Sequence, residues 1–378
     1  MTDASSAHPL HINRRKVGED LKLSLCMIVK NEAEVLARCL SSAKNIADEI
    51  VIVDTGSSDT TNEIAGTFTD RIFDFPWCDD FSAARNFAFS KARGEYIFWL
   101  DADDVIENEE EFLKLKEKLD ADAIFLPYHT AFDESGKPTF SFYRERIVKR
   151  ACGFLWKGRV HETIEVSGKT IYLEKPAVFH RSVKKEYSKR NFLLYEKQLA
   201  EEGKLSLRDC FYYGRELYYH GEFARAVDIF EDYLKEETAW KNDRIEAAKF
   251  LGKAYRRLGK KEEALFSFAK SFAFALPRAE ICCEMALVFE EKGDLKAAVY
   301  WYQQALLTRE NLNTGTFFAK DMSGYFPAIR LCVLYDRLGE FKKAEAMNEL
   351  AGKFKPEDAS YLYNKRYFRN KNKENRIE

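Results

Sequence analysis

The chain has 378 residues, 46% of them apolar and 32% charged, which is room for two domains with a sizeable core. Its 60 basic and 62 acidic residues leave a formal charge of −2, excluding a global bias toward nucleic acid or an anionic membrane. No window approaches the roughly 18 apolar residues that span a bilayer. Residues 1–20 lack the apolar stretch of a secretory signal and read as a tail, so the expected location is cytoplasmic. The eight cysteines form no CxxC pair and read as reduced thiols.

Up to about residue 190, short β-branched and aromatic runs alternate with helical patterns. Leu23–Val29 reads as a strand, Ala33–Ala43 as a helix and Glu49–Asp54 as a strand. Thr60–Thr67 then suits a helix, Arg71–Phe75 a short strand, Ser82–Ala92 a helix and Tyr96–Asp101 a strand. Strands alternating with helices imply a mostly parallel α/β sheet, with ligands at the carboxyl ends of the strands. Residues 122–180 read as mixed strands and loops.

After residue 190 the strand signal stops and a repeat begins. The glycines Gly221, Gly259 and Gly293 recur at 38 and 34 residues, followed by alanines and aromatics at helical spacing. Gly339 comes 46 residues later, with the excess in the polar segment Thr308–Lys320. A period near 34 is that of the tetratricopeptide repeat, a helix pair that buries its apolar face only by stacking on neighbours. The expected organisation is a tail at 1–20, a catalytic α/β domain at 21–190, an all-α solenoid at 191–360 and a basic polar tail at 361–378. The solenoid aromatics Phe211, Tyr212, Tyr213, Tyr218 and Tyr219 read mainly as helix packing.

Two strand ends carry chemistry. Tyr96-Ile97-Phe98-Trp99-Leu100 runs into Asp101, Ala102, Asp103 and Asp104. Hard divalent cations take carboxylate oxygens, and an extended backbone would put Asp101 and Asp103 on one side, to share a metal and sugar or ribose hydroxyls. The strand Ile50–Val53 runs into Asp54-Thr55-Gly56-Ser57-Ser58-Asp59 and a helix start. Asp54 can accept from a nucleobase N–H or a ribose hydroxyl, while Asp59 or Ser58 can cap the helix.

The ordered set Ser24–Glu32, Asp54–Thr61, Trp77–Asn86 and Asp101–Asp104 resembles family 2 glycosyltransferases of the GT-A fold. It is most similar to the branch that often carries tetratricopeptide repeats. That branch includes peptide S-glycosyltransferases and enzymes that build lipopolysaccharide core. The resemblance covers residues 22–185 closely and the repeats by architecture.

The resemblance implies that Val29, Asn31, Glu32 and Asp54 line a nucleotide pocket, with Asp101 and Ala102 joining the nucleotide-sugar site. Arg85 would lie near the base or the phosphates, unless it pairs with Asp79 or Asp80. Asp103 would be a direct ligand of Mn²⁺ or Mg²⁺, and His180 the histidine that helps to hold it. Glu162 falls where inverting members present the acceptor's base. The chain has His161-Glu162 in place of the commoner Glu-Asp pair, which keeps His161 open as the base, with Asp104 a third candidate. The donor implied is a UDP-sugar.

Three readings compete. One is an inverting glycosyltransferase that moves a hexose or N-acetylhexosamine to a Cys or Ser/Thr side chain of a peptide or protein held by the repeats. Another is an envelope-polysaccharide or lipopolysaccharide-core glycosyltransferase, and a third is a repeat scaffold with an inactive catalytic domain. The intact acids at 54, 101, 103 and 162 argue against the scaffold. The repeats also offer a surface for homodimerisation.

Overall fold

A computed structural model describes residues 21–133, 136–183, 188–308 and 318–374. The expected tail at 1–20, most of the segment Thr308–Lys320 and the last four residues lie outside the described residues. The chain divides into two compact units, one of residues 1–131 and 141–187, the other of residues 132–140 and 188–378.

The first unit is built on strands β1 (Leu23–Val29), β2 (Glu49–Asp54), β3 (Ile72–Asp74), β4 (Tyr96–Trp99), β5 (Asp104–Ile106), β6 (Ala123–Phe132), β7 (Pro138–Lys149), β8 (Trp156–Lys157), β9 (Thr163–Ile164), β10 (Thr170–Tyr172) and β11 (Val178–His180). Helices α1 (Leu36–Ala43), α2 (Thr61–Gly66), α3 (Phe81–Lys91) and α4 (Glu109–Glu117) connect them. The main sheet runs β3-β2-β1-β4-β7-β6-β11-β5, with β10 also paired to β6. β1 pairs in parallel with both β2 and β4, whereas β4 meets β7 antiparallel, Phe98 opposite Ile147. The parallel half expected from the sequence therefore continues into a mixed half.

The continuous apolar runs of β1, β2 and β4 follow from burial on both faces. Leu23, Leu25 and Met27 join Ile52, Phe98 and the α1 residues Leu36 and Leu40 in one core. Cys26, Val51, Ile97 and Trp99 point the other way, into a second core with Ala88, Phe89, Val148 and Trp156.

Two details depart from the sequence expectations. The stretch Glu32–Val35 forms a turn, Leu36 N donating to Glu32 O at 2.9 Å, so the first helix starts three residues late. The fourth strand stops at Trp99 rather than Asp101, because Asp104 N donates to Asp101 O at 3.0 Å and closes a turn. Asp101 and Asp103 consequently do not alternate along an extended strand.

The second unit is helical: α5 (Arg190–Glu202), α6 (Leu207–Tyr219), α7 (Phe223–Lys235), α8 (Lys241–Arg257), α9 (Lys261–Lys270), α10 (Ala279–Glu291), α11 (Leu295–Leu307), α12 (Tyr325–Arg337), α13 (Phe341–Phe354) and α14 (Ala359–Glu374). Four antiparallel pairs, α6/α7 to α12/α13, each turn at a glycine of φ between 76° and 82°. Within a pair the helices approach closely: a Cβ at Gly252 would lie 2.5 Å from the buried Phe268 ring. Small residues facing aromatics make this a tetratricopeptide-type solenoid. Phe211 and Tyr213 are core residues as expected, while Tyr219 is exposed.

Residues 361–374 are not the expected tail. They belong to α14, where Tyr361 and Phe368, seven residues apart, bury one face of the helix. The basic composition hides this because Lys365, Arg366 and Arg369 occupy the remaining turns. All eight cysteines are free. No helix among the described residues is long and apolar enough to cross a membrane.

Candidate active site

The site forms where β4 opens into the turn 101–104. Arg85, from α3, lies under it and is nearly buried. Its Nη2 donates to Asp101 Oδ1 at 2.6 Å and its Nε to Glu162 Oε1 at 2.6 Å. The guanidinium sits 5.1 Å from the Trp99 ring centre and 4.8 Å from that of Trp156. Burial alone would raise the Asp101 carboxyl, but the charges of Arg85 and Arg146 outweigh it and hold the group well below the usual range. The alternative of an ion pair to Asp79 or Asp80 is not what Arg85 makes; its partners are Asp101 and Glu162. Asp80 instead caps α3, accepting from Ala83 N at 3.0 Å, and Asp79 accepts from Trp77 Nε1 at 2.7 Å.

The segment carrying Glu162 is tethered to α3 along its length. Asn86 and the Trp156 backbone exchange two hydrogen bonds, at 3.0 and 2.8 Å. Ser82 Oγ donates to Gly158 O at 2.7 Å, and Phe81 N to Arg159 O at 2.9 Å. His161 takes a left-handed backbone, φ 49°, which turns the chain so that Glu162 reaches Arg85.

Asp103, Asp104 and His180 offer ligand atoms within 4.8 Å of one another. His180 Nδ1 is 3.3 Å from Asp103 Oδ1 and 3.5 Å from Asp104 Oδ1. The Tyr128 hydroxyl bridges them, donating to Asp104 Oδ1 at 2.8 Å with His180 Nδ1 at 2.9 Å. Asp104 is fully buried. Its Oδ2 accepts from Arg146 Nη1 at 3.0 Å and from Asp101 N at 3.0 Å. Two carboxylates and one imidazole fit a divalent cation such as Mn²⁺. Asp103 and His180 are the partly exposed members, so they can meet an ion while Asp104 stays tied to Arg146.

Burial would lower the His180 pKa, but hydrogen bonds to Asp103 and Asp104 push it up to about 10. At neutral pH the ring is therefore a cation, and a metal ion needs its neutral nitrogen. Metal binding should release about one proton and strengthen roughly tenfold per pH unit between pH 6 and 9. Calorimetry of Mn²⁺ binding in two buffers of different ionisation enthalpy checks this; equal heats in both would show that binding displaces no proton from His180.

The loop after β2 is organised around Asp54. Ser57 N donates to its two oxygens at 3.1 and 3.0 Å, and Asn62 Nδ2 donates at 3.0 Å. Asn31, at φ 54°, joins this loop to the end of β1: its N–H donates to Ser57 Oγ at 3.0 Å and its Oδ1 accepts from Ser58 N at 2.7 Å. Val29 O accepts from Thr55 N at 2.9 Å, and Glu32 N donates to Thr61 Oγ1 at 2.8 Å. Asp59 does not cap α2, whose N-cap position is Thr60; it accepts from Thr61 N at 3.0 Å and from Ala33 N at 3.2 Å, which ties the loop to the end of β1. Val29, Asn31, Glu32 and Asp54 thus share one loop cluster at the ends of the parallel strands β1 and β2; beyond the end of β4, Arg85 links Asp101 to Glu162, and Asp103 meets His180.

Residues 24–166 match the model for the family described as "Glycosyl transferase family 2". The first unit is a family 2 glycosyltransferase domain. A TPR repeat-containing protein of Synechococcus elongatus is 30% identical over 290 residues, covering 75% of this chain and 66% of its own. The SPbeta prophage-derived glycosyltransferase SunS of Bacillus subtilis is 28% identical over 231 residues, covering 55% of this chain and 51% of its own. The chain thus spans under two thirds of the first relative and about half of the second. A crystal structure of MamA aligns with 38% of this chain and 74% of its own at 24% identity and a TM-score of 0.30.

Within this glycosyltransferase domain, sequence reasoning missed Tyr128, Arg144 and Arg146. Arg146 is fully buried between Trp99 and Tyr128, 3.9 and 4.2 Å from their ring centres. The available signal was the triplet Arg144-Glu145-Arg146 leading straight into the apolar pair Ile147-Val148. Charges alternating in a strand that then runs into the core have to be paired inside it.

Proposed function

We propose that the chain is an inverting, metal-dependent glycosyltransferase that moves a hexose or N-acetylhexosamine from a UDP-sugar to a Cys or Ser/Thr side chain of a peptide held by the helical unit. The observation that carries the reading is the pairing of two acidic centres at one strand end: Asp103 and His180 for a cation, and Glu162 set beside Asp101 by Arg85. A divalent ion held by Asp103 and His180 would neutralise charge developing on the leaving nucleoside diphosphate. The loop organised by Asp54 and Asn31 receives the nucleoside, and Asp101 takes a ribose or sugar hydroxyl.

Glu162 serves as the base. Arg85 holds its Oε1 and leaves Oε2 for the acceptor's proton. Asp104 suits the role less, being fully buried and bonded to Arg146, Tyr128 and the Asp101 backbone. The deprotonated thiol or hydroxyl attacks the anomeric carbon opposite the departing diphosphate, forming the new glycosidic bond as the old one breaks. A peptide acceptor is favoured by the solenoid, because stacked helix pairs present extended surfaces suited to polypeptides. The name of SunS, a glycosyltransferase, agrees with the sugar-transfer part of this reading.

The test is calorimetry of a panel of UDP-sugars with Mn²⁺, Mg²⁺ or EDTA, followed by transfer assays on cysteine- and serine-containing peptides. Metal-dependent binding of one UDP-sugar is expected. Folded protein that binds none of them would overturn the donor assignment.

A further inference from the structure

Three guanidinium groups surround the Trp99 indole: Arg85 at 5.1 Å, Arg144 at 4.9 Å and Arg146 at 3.9 Å from a ring centre. Two of them are committed within the protein. Arg85 bridges Asp101 and Glu162, and Arg146 holds Asp104 and the Trp99 carbonyl.

Arg144 differs. Its side chain is 25% exposed, against 10% for Arg85 and none for Arg146. The ion pair it makes among the described residues is a 3.3 Å contact with Glu145, its neighbour in sequence. Adjacent residues of a strand point to opposite faces, so this contact leaves most of the guanidinium's fork uncommitted. β7 runs antiparallel to β4 past the end of that strand at Trp99, and the Arg144 charge acts on Asp101 in the turn beyond it. Burial works against its charge, but Glu145, Glu162 and Asp101 outweigh that and keep it cationic.

We propose that Arg144 is the side chain that meets the diphosphate of the nucleotide-sugar donor, the part the family resemblance gave to Arg85. The inference rests on the donor reading above and names the residue that executes it. The planar fork of an arginine matches phosphate oxygens two at a time, and the Trp99 ring 4.9 Å away holds the cation in place before the donor arrives. Arg85 is then a positioning residue that spaces Asp101 from Glu162 and contacts no phosphate.

The experiment titrates the full chain, wild type and Arg144→Gln, with UDP and with uridine, both in Mn²⁺. The expected result is a loss of UDP affinity of roughly tenfold or more with uridine binding unchanged. Arg144→Lys keeps the charge without the fork and should recover part of the loss. It also decides the question if Arg144→Gln fails to fold, by losing affinity for UDP and not for uridine. UDP binding that is unchanged in the variants, or uridine and UDP weakened alike, would overturn the role of Arg144 alone. A folded wild type that binds neither ligand would overturn the donor reading and this inference with it.

Discussion

Asp103→Ala is expected to lower sugar transfer by roughly a thousandfold or more, about 4 kcal/mol of barrier, while leaving the melting temperature nearly unchanged. Its side chain is partly exposed, and the contact it makes with His180 is duplicated by Tyr128 and Asp104. Deleting it removes the proposed metal ligand without opening a cavity or orphaning a buried charge. Calorimetry with Mn²⁺ should lose metal-dependent UDP binding in parallel. Near wild-type turnover in this variant would place the cation elsewhere.

The neighbouring acid should behave in the opposite way. Asp104→Ala is expected to destabilise the first unit by about 3–5 kcal/mol, because it leaves the fully buried Arg146 guanidinium without its carboxylate. It also removes the acceptor of the Tyr128 hydroxyl and of the Asp101 backbone N–H. For a unit of this size that corresponds to a fall of about 10 °C in melting temperature. Urea unfolding of the variant and the wild type measures it directly. A loss below about 1 kcal/mol would show that water or a rearranged side chain satisfies Arg146. One residue's shift in the chain thus separates a predominantly chemical phenotype from a structural one.

That contrast was not legible in the sequence, where Asp101, Asp103 and Asp104 are three acids after an apolar run. Periodicity reported the run itself well, because β1, β2 and β4 are buried on both faces and their composition says so. It could not report the turn that follows, since a hydrogen bond from Asp104 N to Asp101 O has no compositional signature. The repeats were legible for a related reason: Gly221, Gly259 and Gly293 mark the same tight turn each time. The partners of the site residues were the least legible. Arg85 finds Glu162 across 77 residues and Arg146 finds Asp104 across 42, so spacing along the chain carried no information about either pair. The helix α14 was hidden by its charge, although two aromatics seven residues apart were there to be read.

Helix α3 and the segment 156–162 are joined by backbone bonds at Phe81, by side chains at Ser82 and Asn86, and by the ion pair at Arg85. For anyone assembling chimeras between this domain and a relative, these two stretches make a single cassette despite the seventy residues between them. A graft that imports a new 156–162 segment without its native helix would arrive with its moorings left behind in the donor parent.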